Sequence, residues 1–174
     1  MDPLFSPPTH PAGWDDKTLL AACEVQRTRR SGPGGQHRNK VETAVVLTFR
    51  PTKARAEASE RRSQADNQRV ALFRLRLRLA LDFRLPHAPE LAPSDRWRER
   101  VMGERIRVNS EHEDFPPLLA EALDAVHHHQ GELAAAASDL GVTSSQLARL
   151  LRQYPPAWQQ VNRQRLQSGR RPLK

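Results

Sequence analysis

Polar and apolar positions alternate over Cys23–Arg30 (CEVQRTRR), which predicts a strand. Glu42–Phe49 (ETAVVLTF) is rich in β-branched residues and predicts a second. Arg50-Pro51-Thr52 reads as the turn after it, and Ala54–Ser59 fits a third strand although its own pattern is weak. Ahead of the strands, Trp14–Ala22 has acids early and apolar residues late, the order of a short helix. Ser63–Leu85 carries two signals. FRLRLRLAL has period two, but Leu, Arg and Ala are helix formers and β-branched residues are nearly absent. The run is also long for a strand. It predicts a helix with Val70, Phe73, Leu77 and Leu81 near one face and arginines spread around it, their aliphatic stems covering apolar surface.

Pro86–Pro93 holds three prolines and reads as a linker. Asp95–Arg105 looks helical and charged, and Asn109–Pro117 breaks the pattern. Leu118–His129 predicts a helix with Leu119, Leu123 and Val126 on one face. GELAAAASDLG and TSSQLARLLRQ then predict two helices across a turn, the second capped by Thr143 with Gln146 at capping-box spacing. Tyr154-Pro155-Pro156 ends it, and Trp158–Leu166 predicts a last helix before a basic end. The first thirteen residues are Pro-rich without apolar period and are expected to be disordered or extended. The expected organisation is a disordered segment 1–13, a domain 14–85, a Pro-rich and charged linker 86–114 and a helical domain 115–174.

Charge sharpens this division. The 174 residues carry a net charge of +8, and Glu24–Leu85 alone holds 15 Lys and Arg against 6 Asp and Glu. A field concentrated on one segment favours a polyanion, most simply nucleic acid. No run reaches the ~18 apolar residues of a membrane span. The N-terminal residues lack a cationic start followed by an apolar run, so no secretory signal is expected. Cys23 is the single cysteine, which fits a reducing cytoplasm.

Between the first two strands lies SGPGGQHRNK, Ser31–Lys40, with three glycines in a basic run. It fails the P-loop spacing, since Lys40 precedes Val41, and it fails G-x-G-x-x-G. A plain linker would not normally end in QHRNK and run straight into a strand. His37 invites a general-base role beside Gln36. His127-His128-His129 invites a metal, but adjacent helical residues point about 100° apart and do not converge on one ion. Neither a metal nor a cofactor is expected.

RRSGPGGQHRNKVETAV resembles the Gly-Gly-Gln loop of the bacterial and organellar class I peptide chain release factor family. The matching positions are Arg29, Ser31, Gly32, Gly34, Gly35, Gln36, Asn39 and Lys40, continued by Thr43-Ala44-Val45, Pro51-Thr52 and Glu60-Arg61-Arg62-Ser63-Gln64 with Asn67. The likeness covers about Ala22–Leu85. It implies a small GGQ-type domain with a mixed or antiparallel sheet packed on a long helix; with the all-α, helix-turn-helix-like domain that the helical pattern predicts after it, the expected fold class is α+β. The resemblance implies hydrolysis of the peptidyl-tRNA ester in the ribosomal peptidyl-transferase centre. Gly34 and Gly35 would bring bare backbone against RNA, and the Gln36 N–H would stabilise the oxyanion or leaving oxygen. The Gln36 amide would admit water and exclude larger nucleophiles. His37 would then be an RNA or structural contact rather than the base. Arg29, Arg30, Ser31, Arg38, Asn39, Lys40, Arg61 and Arg62 would serve rRNA and tRNA binding. The implied partners are the ribosome, through its large-subunit rRNA and peptidyl-tRNA, and a glutamine N5-methyltransferase acting on Gln36.

The second half departs from that family. The tripeptide and SPF-type motifs of a codon-reading domain are not found in it, so a stand-alone, ribosome-rescue type is expected. Instead Ala136-Ala137, Leu140-Gly141-Val142, Leu147 and Leu150 resemble a helix-turn-helix of the Fis type. Arg149, Arg152, Arg170 and Arg171 are its candidate nucleic-acid contacts. The competing readings are a helix-turn-helix regulator with a vestigial GGQ loop, and a ribosome-associated RNA-binding factor without hydrolysis.

Overall fold

The computed structural model describes residues 10–28, 43–85 and 93–174. The fold is α+β, and the chain divides into two compact units, Met1–Asp82 and Phe83–Lys174.

In the first unit, helix α1 (Asp16–Ala21) starts at Asp15, whose carboxylate accepts the Thr18 N–H at 2.9 Å. Strands β1 (Cys23–Thr28), β2 (Ala44–Phe49) and β3 (Arg55–Ala58) form an antiparallel sheet in the order β1-β2-β3. The register pairs Cys23 with Phe49 and Thr28 with Ala44, then Val45 with Ala58 and Thr48 with Arg55. β2 is central and almost wholly buried, which is why it reads as a continuous apolar run, whereas β1 is an exposed edge beyond Cys23. Burial pushes the Cys23 thiol up to about 11. Arg50 donates to the carbonyls of Ala21 at 3.0 Å and Cys23 at 2.8 Å, fastening the end of α1 to the β2–β3 turn.

The ambiguous arginine–leucine run is a helix, α2 (Gln64–Asp82), packed on β2 and β3. Its buried face is not the one expected. Val70, Phe73, Leu77 and Leu81 are half-buried, and the core side is Ala71, Leu72, Leu75, Leu79 and Ala80. The small alanines at 71 and 80 let the helix lie close on the sheet, which leaves the larger flanking residues at the margins. Arg76 turns inward. Its side chain is 12% exposed and donates to Ala12 O at 2.8 Å, Trp14 O at 2.5 Å and Asp16 Oδ1 at 2.7 Å. That bracket corrects the expectation of disorder through residue 13. Pro11–Gly13 form a 3-10 turn with Ala12 fully buried, and the Arg76 guanidinium satisfies the Ala12 carbonyl. Residues 1–9 lie outside the described residues.

The second unit begins earlier than the expected helical domain. Residues 93–114, read from sequence as linker and partly as one helix over Asp95–Arg105, form α3 (Asp95–Arg100) and a hairpin of β4 (Val101–Met102) and β5 (Arg105–Ile106). Two buried side chains explain why this charged stretch folds. Trp97 is fully buried and its Nε1–H donates to Leu140 O at 2.8 Å, and Ile106 is buried on the other side of the turn. The unit therefore adds a short helix and a small hairpin ahead of the expected all-α domain, and from residue 115 on its regular elements are all helices. Helices α4 (Phe115–His128), α5 (Leu133–Asp139), α6 (Ser144–Arg152) and α7 (Pro155–Gln167) complete it.

α5 and α6 cross as predicted. Ala136 and Ala137 are buried between them, Gly141 turns the chain at φ +64°, and Leu147, Leu150 and Leu151 fill the core. Half of the expected capping box forms. Gln146 N–H donates to Thr143 Oγ1 at 3.2 Å, but the Thr143 N–H goes to Glu104 O in the hairpin turn. Gly131 cannot be replaced cheaply: its φ is +82°, and a Cβ there would sit 2.7 Å from Arg165 Cγ.

Asp124 makes the second unit pH-sensitive. It is paired with Arg84 at 3.5 Å, yet its Oδ1 has no hydrogen-bond partner among the described residues. Burial outweighs the guanidinium and pushes its carboxyl up to about 7, with Glu121 adding to the rise. A raised folded-state pKa means the neutral acid is favoured on folding. That contribution is fully present below the unfolded pKa near 4 and is lost as pH rises through about 7. The melting temperature of this unit should fall between about pH 4 and 7 and level off above that, by an amount corresponding to a few kcal/mol at most, roughly 1.4 kcal/mol per pH unit. Asp124→Asn should flatten that dependence; an unchanged pH profile in the variant would contradict it.

Candidate functional site

The glycine loop with Gly34, Gly35 and Gln36, and the flanking Arg29, Arg30, Ser31, His37, Arg38, Asn39 and Lys40, lies outside the described residues. Its footing is described. The chain leaves the sheet at Thr28 and re-enters at Ala44, and these two residues are direct cross-strand partners. Thr43 stands at the C-terminal foot, and a buried side chain holds it. Asn67, in the first turns of α2, is fully buried. Its Nδ2 donates to Thr43 O at 2.7 Å and to Arg61 O at 2.9 Å, and its Oδ1 accepts the Arg61 N–H at 2.8 Å. An amide is the smallest side chain that offers both donors and acceptor here. Asn67 thus ties β2 at the loop foot to the Arg61–Ser63 stretch that opens α2.

Of the predicted contact residues that are described, Arg61 and Arg62 share this region, and both are exposed. Beside them Glu60 accepts from Arg74, and the Ser59 N–H at 2.8 Å, the largest of several influences, holds its carboxyl below the usual range. Asn67 was visible in the sequence only as part of the family-like stretch, without a role. Its burial is what assigns one.

The four C-terminal arginines are not equivalent. Arg152 lies over the Trp158 ring, 4.5 Å from its centroid. Arg170 is ion-paired with Glu132, and Arg171 is engaged through its carbonyl, which accepts from Arg165 Nε at 2.9 Å. Arg149 alone of the four lines a groove, with Arg105 and Arg107 of the hairpin, two residues that sequence reasoning passed over. No sequence period could have found them, because the hairpin strands have two residues each. The histidines 127–129 take separate partners: Gln164 donates to His127 O at 3.2 Å, and His129 pairs with Asp139 at 2.5 Å. No group of three metal-ligating side chains converges among the described residues. Among them, too, no helix is long and apolar enough to cross a membrane.

Residues 20–114 match the RF-1 domain. Curated relatives include peptide chain release factor PrfB1, chloroplastic, of Arabidopsis thaliana, 46% identical over 56 residues, which are 32% of this chain and 12% of that protein. Peptide chain release factor 1 of Mesoplasma florum is 35% identical over 83 residues, 48% of this chain and 22% of that protein. Peptide chain release factor 1 of Rickettsia typhi is 36% identical over 96 residues, 54% of this chain and 26% of that protein. The chain thus spans about a quarter or less of the length of these relatives. No solved structure matches. The matched range takes in α2 and the whole sheet, with both strands that bracket the glycine loop and the Asn67 tie at its foot, and the chain belongs to the RF-1 domain family.

Proposed function

We propose that this protein promotes hydrolysis of the peptidyl-tRNA ester on the ribosome, and that it does so without reading a stop codon. The observation that carries the reading is the sequence Ser31–Lys40, set between two paired strands of an RF-1 domain. The residue types suit the chemistry. Hydrolysis of an ester develops negative charge on oxygen, and a preoriented backbone N–H in a water-poor site stabilises it. The Gln36 N–H supplies that donor, Gly34 and Gly35 allow close backbone approach, and the Gln36 amide selects water as nucleophile. No side-chain nucleophile is needed, because rRNA and the terminal ribose of the tRNA supply the rest. The surplus of basic residues over Glu24–Leu85 supports binding to rRNA.

The codon-independent part of the reading rests on the second unit. It carries a helix-turn-helix-like pair, α5 and α6, beyond the residues that match the RF-1 domain. The test is peptide release by the purified protein from stalled ribosomal complexes that hold peptidyl-tRNA and no stop codon. Release above the spontaneous rate is expected. Release seen only with a stop codon in the decoding site would remove the codon-independent part, and no release under either condition would remove the whole reading.

A further inference from the structure

We propose that the second unit carries its own binding site for the phosphate backbone of single-stranded RNA, in the groove between the β4–β5 hairpin and α6. The groove encloses about 740 Å³. Arg105 and Arg107 line it from the hairpin side and Arg149 from the helix. Its lining holds no carboxylate among the described residues. The floor is apolar, with Ile106 and Leu150 both buried. Gln146 and Gln153 add amides along α6, one turn before Arg149 and one turn after it.

The state of the three arginines separates this from an ordinary solvated face. Elsewhere in the unit arginines are mostly spoken for: Arg84 by Asp124, Arg96 and Arg100 by Asp114, Arg98 by Asp95, and Arg170 by Glu132. Arg105, Arg107 and Arg149 are exposed, and their guanidiniums have no partner among the described residues. Three guanidiniums held around one concavity without counter-charge repel one another, and an anion with several charges relieves that. Planar fork donors match phosphate oxygens in two-pronged geometry. The amides at 146 and 153 both donate and accept, as recognition of ribose hydroxyls and base edges requires.

The groove's form selects the kind of nucleic acid. A helix that reads duplex DNA must project into the major groove. Here the polar side of α6 is flanked by the hairpin, which is fixed to the helix start by the Thr143 N–H bond to Glu104 O at 3.2 Å. A flexible strand can lie in such a recess; a duplex groove cannot close over it. This site is independent of the hydrolysis reading, because binding to free RNA requires no ribosome.

The test uses the full chain and a labelled single-stranded RNA of about twenty nucleotides, followed by fluorescence anisotropy across a salt series. The triple variant Arg105→Gln, Arg107→Gln, Arg149→Gln should bind roughly tenfold or more weakly at physiological salt. The slope of log affinity on log salt should fall by about 2, from three contacts at about 0.7 each. The basic first unit contributes equally to both proteins, so the difference isolates the groove. Photocrosslinking of 4-thiouridine RNA to the wild-type protein should mark peptides containing Arg105–Arg107 and Gln146–Gln153, which decides the matter even if the variant folds poorly. Unchanged affinity and slope would overturn the proposal, as would crosslinks confined to the first unit. So would loss of binding to a polyglutamate peptide, or to duplex DNA of the same sequence, without loss of RNA binding.

Discussion

Replacing Gln36 with proline should reduce peptide release from stalled ribosomal complexes by about a hundredfold to a thousandfold, the usual cost of one oxyanion donor. Proline has no N–H, so the substitution deletes the proposed donor itself. Gln36→Ala is the necessary companion. It keeps the backbone N–H and removes only the side-chain amide, so its loss should be smaller. It should also admit nucleophiles larger than water, which hydroxylamine or a small alcohol in the release assay would detect. The pair divides the two roles of one residue: the proline variant reads the backbone donor and the alanine variant reads water selection. Ribosome co-sedimentation should be nearly unchanged in both, because the cations proposed to bind phosphate, near Gln36 in sequence, remain. Equal losses in the two variants would place the whole effect in the side chain. Release by the proline variant at the wild-type rate would remove Gln36 from the chemistry.

The first unit was largely legible because its local and tertiary signals agree. β2 is apolar along its length since it is central, and the exposed edge strand β1 keeps polar alternation. α2 shows where such reading stops. The choice of helix over strand followed from propensity, but the buried side was set by how closely Ala71 and Ala80 approach the sheet, which no single-helix pattern contains. The β4–β5 hairpin was missed for a similar reason. Its strands have two residues each, too short for period two to register, and its turn puts Gly103 and Glu104 at φ +53° and +60°. Without Trp97 and Ile106 anchored in the unit, the run DRWRERVMGERIR has ordinary helical propensity. The candidate sites divide along the same line. The glycine loop is a contiguous motif and could be read directly. The arginine groove joins two separate segments, and only packing brings Arg107 beside Arg149.

The second large effect is expected at Asn67. Removing its amide by Asn67→Ala leaves the Thr43 carbonyl and both backbone groups of Arg61 without their partner. Unpaired buried polar groups cost about 1–3 kcal/mol each, less where water can enter beside exposed Arg61. A net loss of about 2–3 kcal/mol is expected, enough to lower the melting temperature of a unit this size by about 10 °C or more. Asn67→Asp separates geometry from hydrogen bonding. It keeps the shape and the acceptor for the Arg61 N–H but loses both donors, and sets a carboxylate against two carbonyl oxygens. It should be at least as damaging as alanine at neutral pH. Because only the protonated acid can donate, its folded-state pKa is raised, so the deficit should shrink as pH falls toward 5 and grow as pH rises. The wild type has no such dependence at this position. Release measured well below the melting temperature then separates support from stability. If Asn67 positions the loop foot, the folded alanine variant should release peptide more slowly while binding ribosomes as before. A folded variant with full release would confine Asn67 to stability alone.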